Sequence, residues 1–220
     1  ITYGGSIFEW SWWLRGYENL LIDMMSNKSL AEAVINKVTD FTLDISKKIA
    51  KSDIDILAYY DDVGMQNGMM IRPSLWREWI KPRWRMVFEA VRRVNPHVKI
   101  FFHSDGNIKE IIPDLIDIGV DILNPVQPES MDPTQIKREF GKYLAFWGTV
   151  GVQKTMPLGS PLDVKREVKK RIETVGKEGG LIIAPSNVLE PEVPWENILA
   201  FIEAVKEFGV LSGSNSKKEG

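Results

Sequence analysis

Val98-Lys99-Ile100-Phe101-Phe102-His103-Ser104-Asp105-Gly106-Asn107 is the stretch on which the fold turns. Val98 to Phe102 is an apolar run too short for a helix and reads as a buried strand, and the polar, glycine-bearing segment after it ends that strand. The same order recurs along the chain. Ile54 to Tyr60 runs into Asp61-Asp62, Asp121 to Leu123 into Asn124-Pro125, Tyr143 to Trp147 into Gly148-Thr149, and Leu181 to Ala184 into Pro185-Ser186-Asn187. Polar residues therefore gather just past the C-terminal ends of strands, which is the active-face arrangement of a (β/α)8 barrel. A doubly wound open sheet would cluster them at one switch point behind a glycine-rich first turn, and no such turn is present.

Helices fill the intervals. Tyr17 to Met25 is a short one. From Asn27 or Ser29 to about Lys51 runs another, with an apolar stripe of Leu30, Ala33, Val34, Val38, Phe41 and Ile45. Ser74 to Val94 is helical with Pro82 inside it, which predicts a kink or break. Asn107 to Ile118, Pro133 to Phe140, Leu162 to Val175 and Trp195 to Phe208 complete the set, with Pro113 an internal oddity in the first of these. Five strands alternate with helices, six if Ile1–Tyr3 is counted, where a closed barrel needs eight. The expectation is an α/β fold, an incomplete (β/α)8 TIM barrel lacking its first strands. The start at Ile1-Thr2-Tyr3 fits either processing or an excerpt of something longer. Without an internal linker, residues 1–211 read as one barrel domain, and 212–220, with no apolar residue, as a disordered tail or scar.

Composition removes whole classes of function. Twenty-eight basic against 30 acidic residues give a net charge of −2, which is no electrostatic footprint for nucleic acid. Zero cysteines exclude thiolate nucleophiles, disulfides, iron–sulfur clusters and thiolate zinc sites together. No apolar run reaches the roughly 18–20 residues of a membrane span.

His103 and Asp105 stand two residues apart and could point together into the barrel mouth, as an acid–base pair or as two ligands of a divalent metal. The plain alternative is a hydrogen-bonded histidine with Asp105 capping the next helix. Asp61 and Asp62 face opposite ways if the chain there is extended. One would then face the mouth and the other bond backbone, and two nearby carboxylates would raise one pKa. Met65, Met69 and Met70 form an apolar loop that either fills the core or lines a pocket for a large flat ligand, and Trp10, Trp12 and Trp13 admit the same two readings.

The motifs His103-Ser104-Asp105-Gly106-Asn107-Ile108, Gly119 through Gln127, Phe146-Trp147-Gly148-Thr149 through Gln153, and Gly179-Gly180-Leu181 through Ile198 together resemble the uroporphyrinogen decarboxylase superfamily, from about Gly4 to Gly209. That superfamily holds cofactor-free decarboxylases and zinc-dependent methyltransferases that work with corrinoid proteins. The resemblance implies a (β/α)8 barrel, a cytoplasmic location, a small-molecule substrate, a corrinoid-protein partner and room for a homodimer, with neither nucleic acid nor membrane. The methyltransferases are similar in having a His at His103 but carry Cys where Asp105 and Asn187 stand. The decarboxylases resemble the chain at Asp61, but have serine for Asp62, tyrosine for Trp12 and histidine for Asn187.

The expectation drawn from this is methyl transfer between a corrinoid-type carrier and a small acceptor. His103 and Asp105 would serve as metal ligands (zinc or another divalent ion) or as an acid–base pair. Asn187 is a weak third ligand or hydrogen-bond donor, and Asp61 or Asp62 orients or protonates substrate. Trp12, Arg15, Met65, Asn124, Gln127, Gln153 and Asn187 line the substrate site. Two alternatives stay open: decarboxylation of uroporphyrinogen in tetrapyrrole biosynthesis, and a non-catalytic barrel that binds a corrinoid or tetrapyrrole.

Overall fold

The computed structural model describes residues 1–209, so the expected tail at 212–220 lies outside the described residues. The chain divides into two compact units, Ile1–Asn124 and the part from Pro125 onward.

The first unit carries β1 (Thr2–Gly5), α1 (Phe8–Arg15), α2 (Tyr17–Ser26), α3 (Lys28–Ile49), β2 (Ile56–Tyr60), a hairpin of β3 (Gly64–Met65) and β4 (Gly68–Met69), α4 (Pro73–Trp79), α5 (Lys81–Val94), β5 (Lys99–His103), α6 (Ile112–Asp117) and β6 (Ile122–Asn124). Strands β1, β2, β5 and β6 lie side by side and parallel. The register sets Tyr60 beside His103 and His103 beside Asn124, which aligns the three C-terminal strand ends on one edge. Helix α5 lays Trp84, Val87, Phe88 and Val91 on the sheet at the i, i+3, i+4, i+7 spacing of one helical face. Trp84 there stacks on Phe88 at 5.2 Å and meets Tyr59 and Phe102 edge-on at 5.0 and 5.6 Å.

Pro82 breaks its helix as expected, whereas the helix expected from Asn107 begins only at Ile112, so Pro113 is not internal to it. The helix anticipated over 74–94 is broken at Ile80, and Pro82 sits in the first turn of α5, where it has no helical N–H to lose. Pro113 likewise opens α6, after a single 3-10 turn at Lys109–Ile111.

The face of α3 differs from expectation. Ala31, Ile35, Val38, Thr39, Thr42 and Ser46 are buried, while Leu30 and Phe41 are exposed. The reason is polar: Thr42 Oγ1 donates to the Ser6 carbonyl at 2.8 Å and Ser46 Oγ to that of Gly4 at 3.2 Å, so small hydroxyl residues face β1. Residues 8–15, read only as aromatic-rich, form α1, and the loop of methionines contains the β3–β4 hairpin.

The second unit holds α7 (Pro133–Phe140), β7 (Ala145–Val150), α8 (Thr155–Leu158), α9 (Pro161–Thr174), β8 (Leu181–Pro185) and α10 (Trp195–Phe208). β7 and β8 are parallel, with Phe146 beside Leu181 and Val150 beside Pro185. Val150, Met156, Val164, Val168, Ala200 and Ala204 form its core. Buried Arg171 donates to the Thr149 carbonyl at 3.0 Å and to Glu167 at 3.0 Å. Those bonds hold the end of β7, where Thr149 has a φ of 78°, in a left-handed backbone that β-branched residues rarely adopt.

The described residues thus hold four parallel strands in the first unit and two in the second, each set alternating with helices. None of their helices is long and apolar enough to cross a membrane.

Candidate metal centre

The C-terminal ends of β2, β5 and β6 supply the chemistry of the first unit. Asp61 and Asp62 follow β2 and turn opposite ways, as adjacent residues of an extended chain must. Asp61 is fully buried. Its Oδ1 accepts from Ser6 Oγ at 2.7 Å and from the amides of Glu9 at 2.9 Å and Ile7 at 3.3 Å, and its Oδ2 accepts from Trp84 Nε1 at 2.8 Å. It therefore caps the start of α1, whose own N-cap residue, Ile7, has no side-chain acceptor to offer. Burial pushes its carboxyl up to about 6, against the pull of those donors.

Asp62 faces the other way. Its Oδ1 accepts the Asp105 amide at 2.8 Å and lies 3.6 Å from His103 Nε2. Asp105 Oδ1 is 3.7 Å from the same nitrogen. The three ligand atoms lie within 4.8 Å of one another, and all three residues are partly exposed. Separations of 3.6 and 3.7 Å are too long for hydrogen bonds. They are close to the ~3.4 Å between ligands held at zinc-type bond lengths around a tetrahedral ion. One imidazole nitrogen and two carboxylate oxygens suit zinc and the harder first-row divalent ions alike. The residues present therefore fit a divalent metal.

The loop that carries Asp105 is braced from outside. Gly64 approaches it so closely that a Cβ there would stand 2.3 Å from the Asp105 carbonyl. The Met65 carbonyl accepts the Asn107 amide at 2.7 Å, and Ser104 Oγ accepts the Val63 amide at 3.0 Å. On the strand side the Tyr60 ring lies over His103, centroids 4.7 Å apart. His103 Nδ1 is hydrogen-bonded to Asn124 Oδ1.

Glu9, in the first turn of α1, is a further acidic neighbour that sequence reasoning passed over. Burial first, then the charges of Asp62 and Asp61, raise its carboxyl to about 7. Its signal was an acidic residue opening an eight-residue helix, hidden because the surrounding tryptophans read as a loop or core stretch. Asp61 or Asp62 was expected to orient or protonate substrate; the structure brings Asp62, and not Asp61, beside His103 and Asp105.

Each of the remaining expected residues has local partners of its own. Arg15 donates to Asp23 at 2.7 Å, and Trp12 packs edge-on to Trp13 and Tyr17. Met65 is exposed on the hairpin beside the Asp105 loop. Gln127, Gln153 and Asn187 belong to the second unit. Gln127 is buried, the Gln153 amide donates to Glu129, and Asn187 Oδ1 accepts the Val188 amide at 2.7 Å.

Residues 10–208 match the family model described as uroporphyrinogen decarboxylase. The chain is 27% identical over 207 residues to the methylcobamide:CoM methyltransferase MtaA of Methanosarcina barkeri, covering 89% of this chain and 57% of that protein. It is 22% identical to the uroporphyrinogen decarboxylase of Coxiella burnetii, covering 80% of this chain and 47% of the relative. A solved methyltransferase from Methanosarcina mazei superposes with a TM-score of 0.76 at 22% identity, over 94% of this chain and 59% of the other. At that identity the likeness establishes the fold. The chain spans a little over half the length of the methyltransferases that it matches.

Proposed function

The chain belongs to the uroporphyrinogen decarboxylase family, and on that premise we propose a metal-dependent enzyme of the methyltransferase branch. It would move a methyl group between a corrinoid-type carrier, borne by a partner protein, and a small acceptor. The observation that carries the reading is the meeting of His103 Nε2 with the carboxylates of Asp62 and Asp105. The similarity to methyltransferases named for methylcobamide supports the choice of branch.

A bound divalent ion would supply Lewis acidity, lowering the pKa of the acceptor atom that it holds. His103 offers one neutral nitrogen, and Asp62 and Asp105 one oxygen each. Their two negative charges match those of a divalent cation. Oxygen ligands in place of sulfur make the donor set harder, so manganese, iron and cobalt compete with zinc for it. Glu9, whose carboxyl is raised to about 7 in the metal-free protein by burial and then by the charges of Asp62 and Asp61, stands beside Asp62. Asp61 takes no part in this chemistry; it fixes α1, and with it Glu9.

Titration of the metal-free protein with Co(II) and Zn(II), followed by visible absorption and calorimetry, tests the reading. One equivalent should bind, and His103→Ala and Asp62→Ala should each weaken binding by tenfold or more. Methyl transfer from a methylated corrinoid to small acceptors is then assayed with loaded protein. No binding of any divalent ion, or an affinity indifferent to His103→Ala, refutes it.

A further inference from the structure

We infer that Asn124 is a positioning residue that selects the tautomer of His103, and thereby decides that the His103–Asp105 pair acts as a ligand set and not as an acid–base pair. The inference deepens the metal reading and rests on it.

Asn124 is the last residue of β6 and stands in register beside His103, the last of β5. Its side-chain carbonyl oxygen meets His103 Nδ1. As placed, the Asn124 amide turns its oxygen and not its NH2 to the ring, and with an acceptor there Nδ1 carries the ring hydrogen. In the neutral imidazole that leaves Nε2 with its lone pair, and Nε2 is the atom 3.6 Å from Asp62 Oδ1 and 3.7 Å from Asp105 Oδ1.

Without Asn124 the preference would reverse. Two carboxylates beside Nε2 would draw the hydrogen to that nitrogen, and an Nε2–H pointing between them cannot ligate. The Tyr60 ring packed on the imidazole resists its turning over to present Nδ1 instead. Asn124 acts on the ring from behind, as outer partners of metal-binding histidines generally do.

The chain has only two histidines, which makes the test direct. Metal-free protein labelled with 15N at histidine is examined near pH 8 by long-range 1H–15N correlation, with His97→Gln to identify the His103 signals. The expected pattern is a protonated Nδ1 and a bare Nε2; a protonated Nε2 overturns the inference without any variant. Asn124→Leu, which keeps size but removes the acceptor, should move the hydrogen to Nε2 and weaken Co(II) binding by roughly 10–100-fold. Asn124→Asp, which keeps an acceptor at that place, should retain the Nδ1–H pattern. Wild-type affinity in folded Asn124→Leu would also overturn it. An Nδ1–H pattern in a protein that binds no divalent ion would uphold the tautomer assignment and sink the metal reading, so the two fail separately.

Discussion

Replacing Asp61 separates a structural carboxylate from a chemical one. In Asp61→Ala four donors lose their acceptor: Ser6 Oγ, the amides of Ile7 and Glu9, and Trp84 Nε1. The site is fully buried, so water reaches the orphaned groups only if α1 moves away from β2. A buried donor left without a partner costs about 1–3 kcal/mol. The four do not add, because the Ser6 hydroxyl can rotate and because the desolvation of the carboxylate is relieved. The expected loss is about 3–5 kcal/mol, as for other broken buried networks. For a chain of this size that lowers Tm by about 6–20 °C. Asp61→Asn keeps an oxygen for the Ile7 and Glu9 amides but turns an NH2 toward Trp84 Nε1, so it should fall between the two. Urea unfolding followed by tryptophan fluorescence measures both, with unchanged m-values as the check that one transition is being compared. If Asp61→Ala stays within 1 kcal/mol of wild type yet abolishes methyl transfer, Asp61 is part of the chemistry and the capping argument is wrong.

Three further outcomes follow from the geometry. Glu9 is raised from 4.5 to about 7, so the folded chain holds a proton there that the unfolded chain has released; the stabilisation is full below pH 4.5 and is lost as pH rises through 7. Glu9→Gln should therefore be the more stable protein at pH 8, by about 1 kcal/mol after discounting for solvent screening, and equal or lower stability in urea melts would contradict the raised value. Asp105→Cys adds the only thiol to a cysteine-free chain. It should bring a sulfur-to-Co(II) charge-transfer band and tighter zinc binding, and a silent spectrum would place Asp105 outside the ligand set. Arg171→Met should cost about 3–5 kcal/mol because it removes the cationic partner of Glu167, which keeps only the Gly151 amide and the Thr155 hydroxyl, and frees the Thr149 carbonyl, while Arg171→Met/Glu167→Leu should recover part of the loss; a double variant no better than the single one removes the buried-pair account.

What the sequence showed and what it hid divide along contact range. Short apolar runs ending in polar residues located the strands, and Pro82 located the break at Ile80, because both signals are local. Helix α1 was not legible for the opposite reason. Its capping carboxylate is Asp61, more than 50 residues away, and no pattern around Phe8 announces it. The face of α3 was misjudged because hydrophobic periodicity counts Thr42 and Ser46 as polar, although their hydroxyls are satisfied by the carbonyls of Ser6, just past β1, and of Gly4 within it.

The same division governs the site. Strand alternation required Asp61 and Asp62 to part company but could not say which went inward. That was settled by partners on α1 and α5 for Asp61, and by the Asp105 amide for Asp62. His103 and Asp105 were found because they are neighbours in sequence, and Glu9 was missed because it reaches the site from a helix. A metal centre drawn from several strand ends in a β/α fold will in general look incomplete in sequence for this reason. The residue that would leave the set short of a ligand, here Asp105, where the resemblance to the methyltransferases implies cysteine, is better judged by what the adjacent strand end contributes than by its own substitution. In the proposed site Asp62, just past β2, would supply the second negative charge, so oxygen in place of thiolate would change the hardness of the site and leave its charge intact.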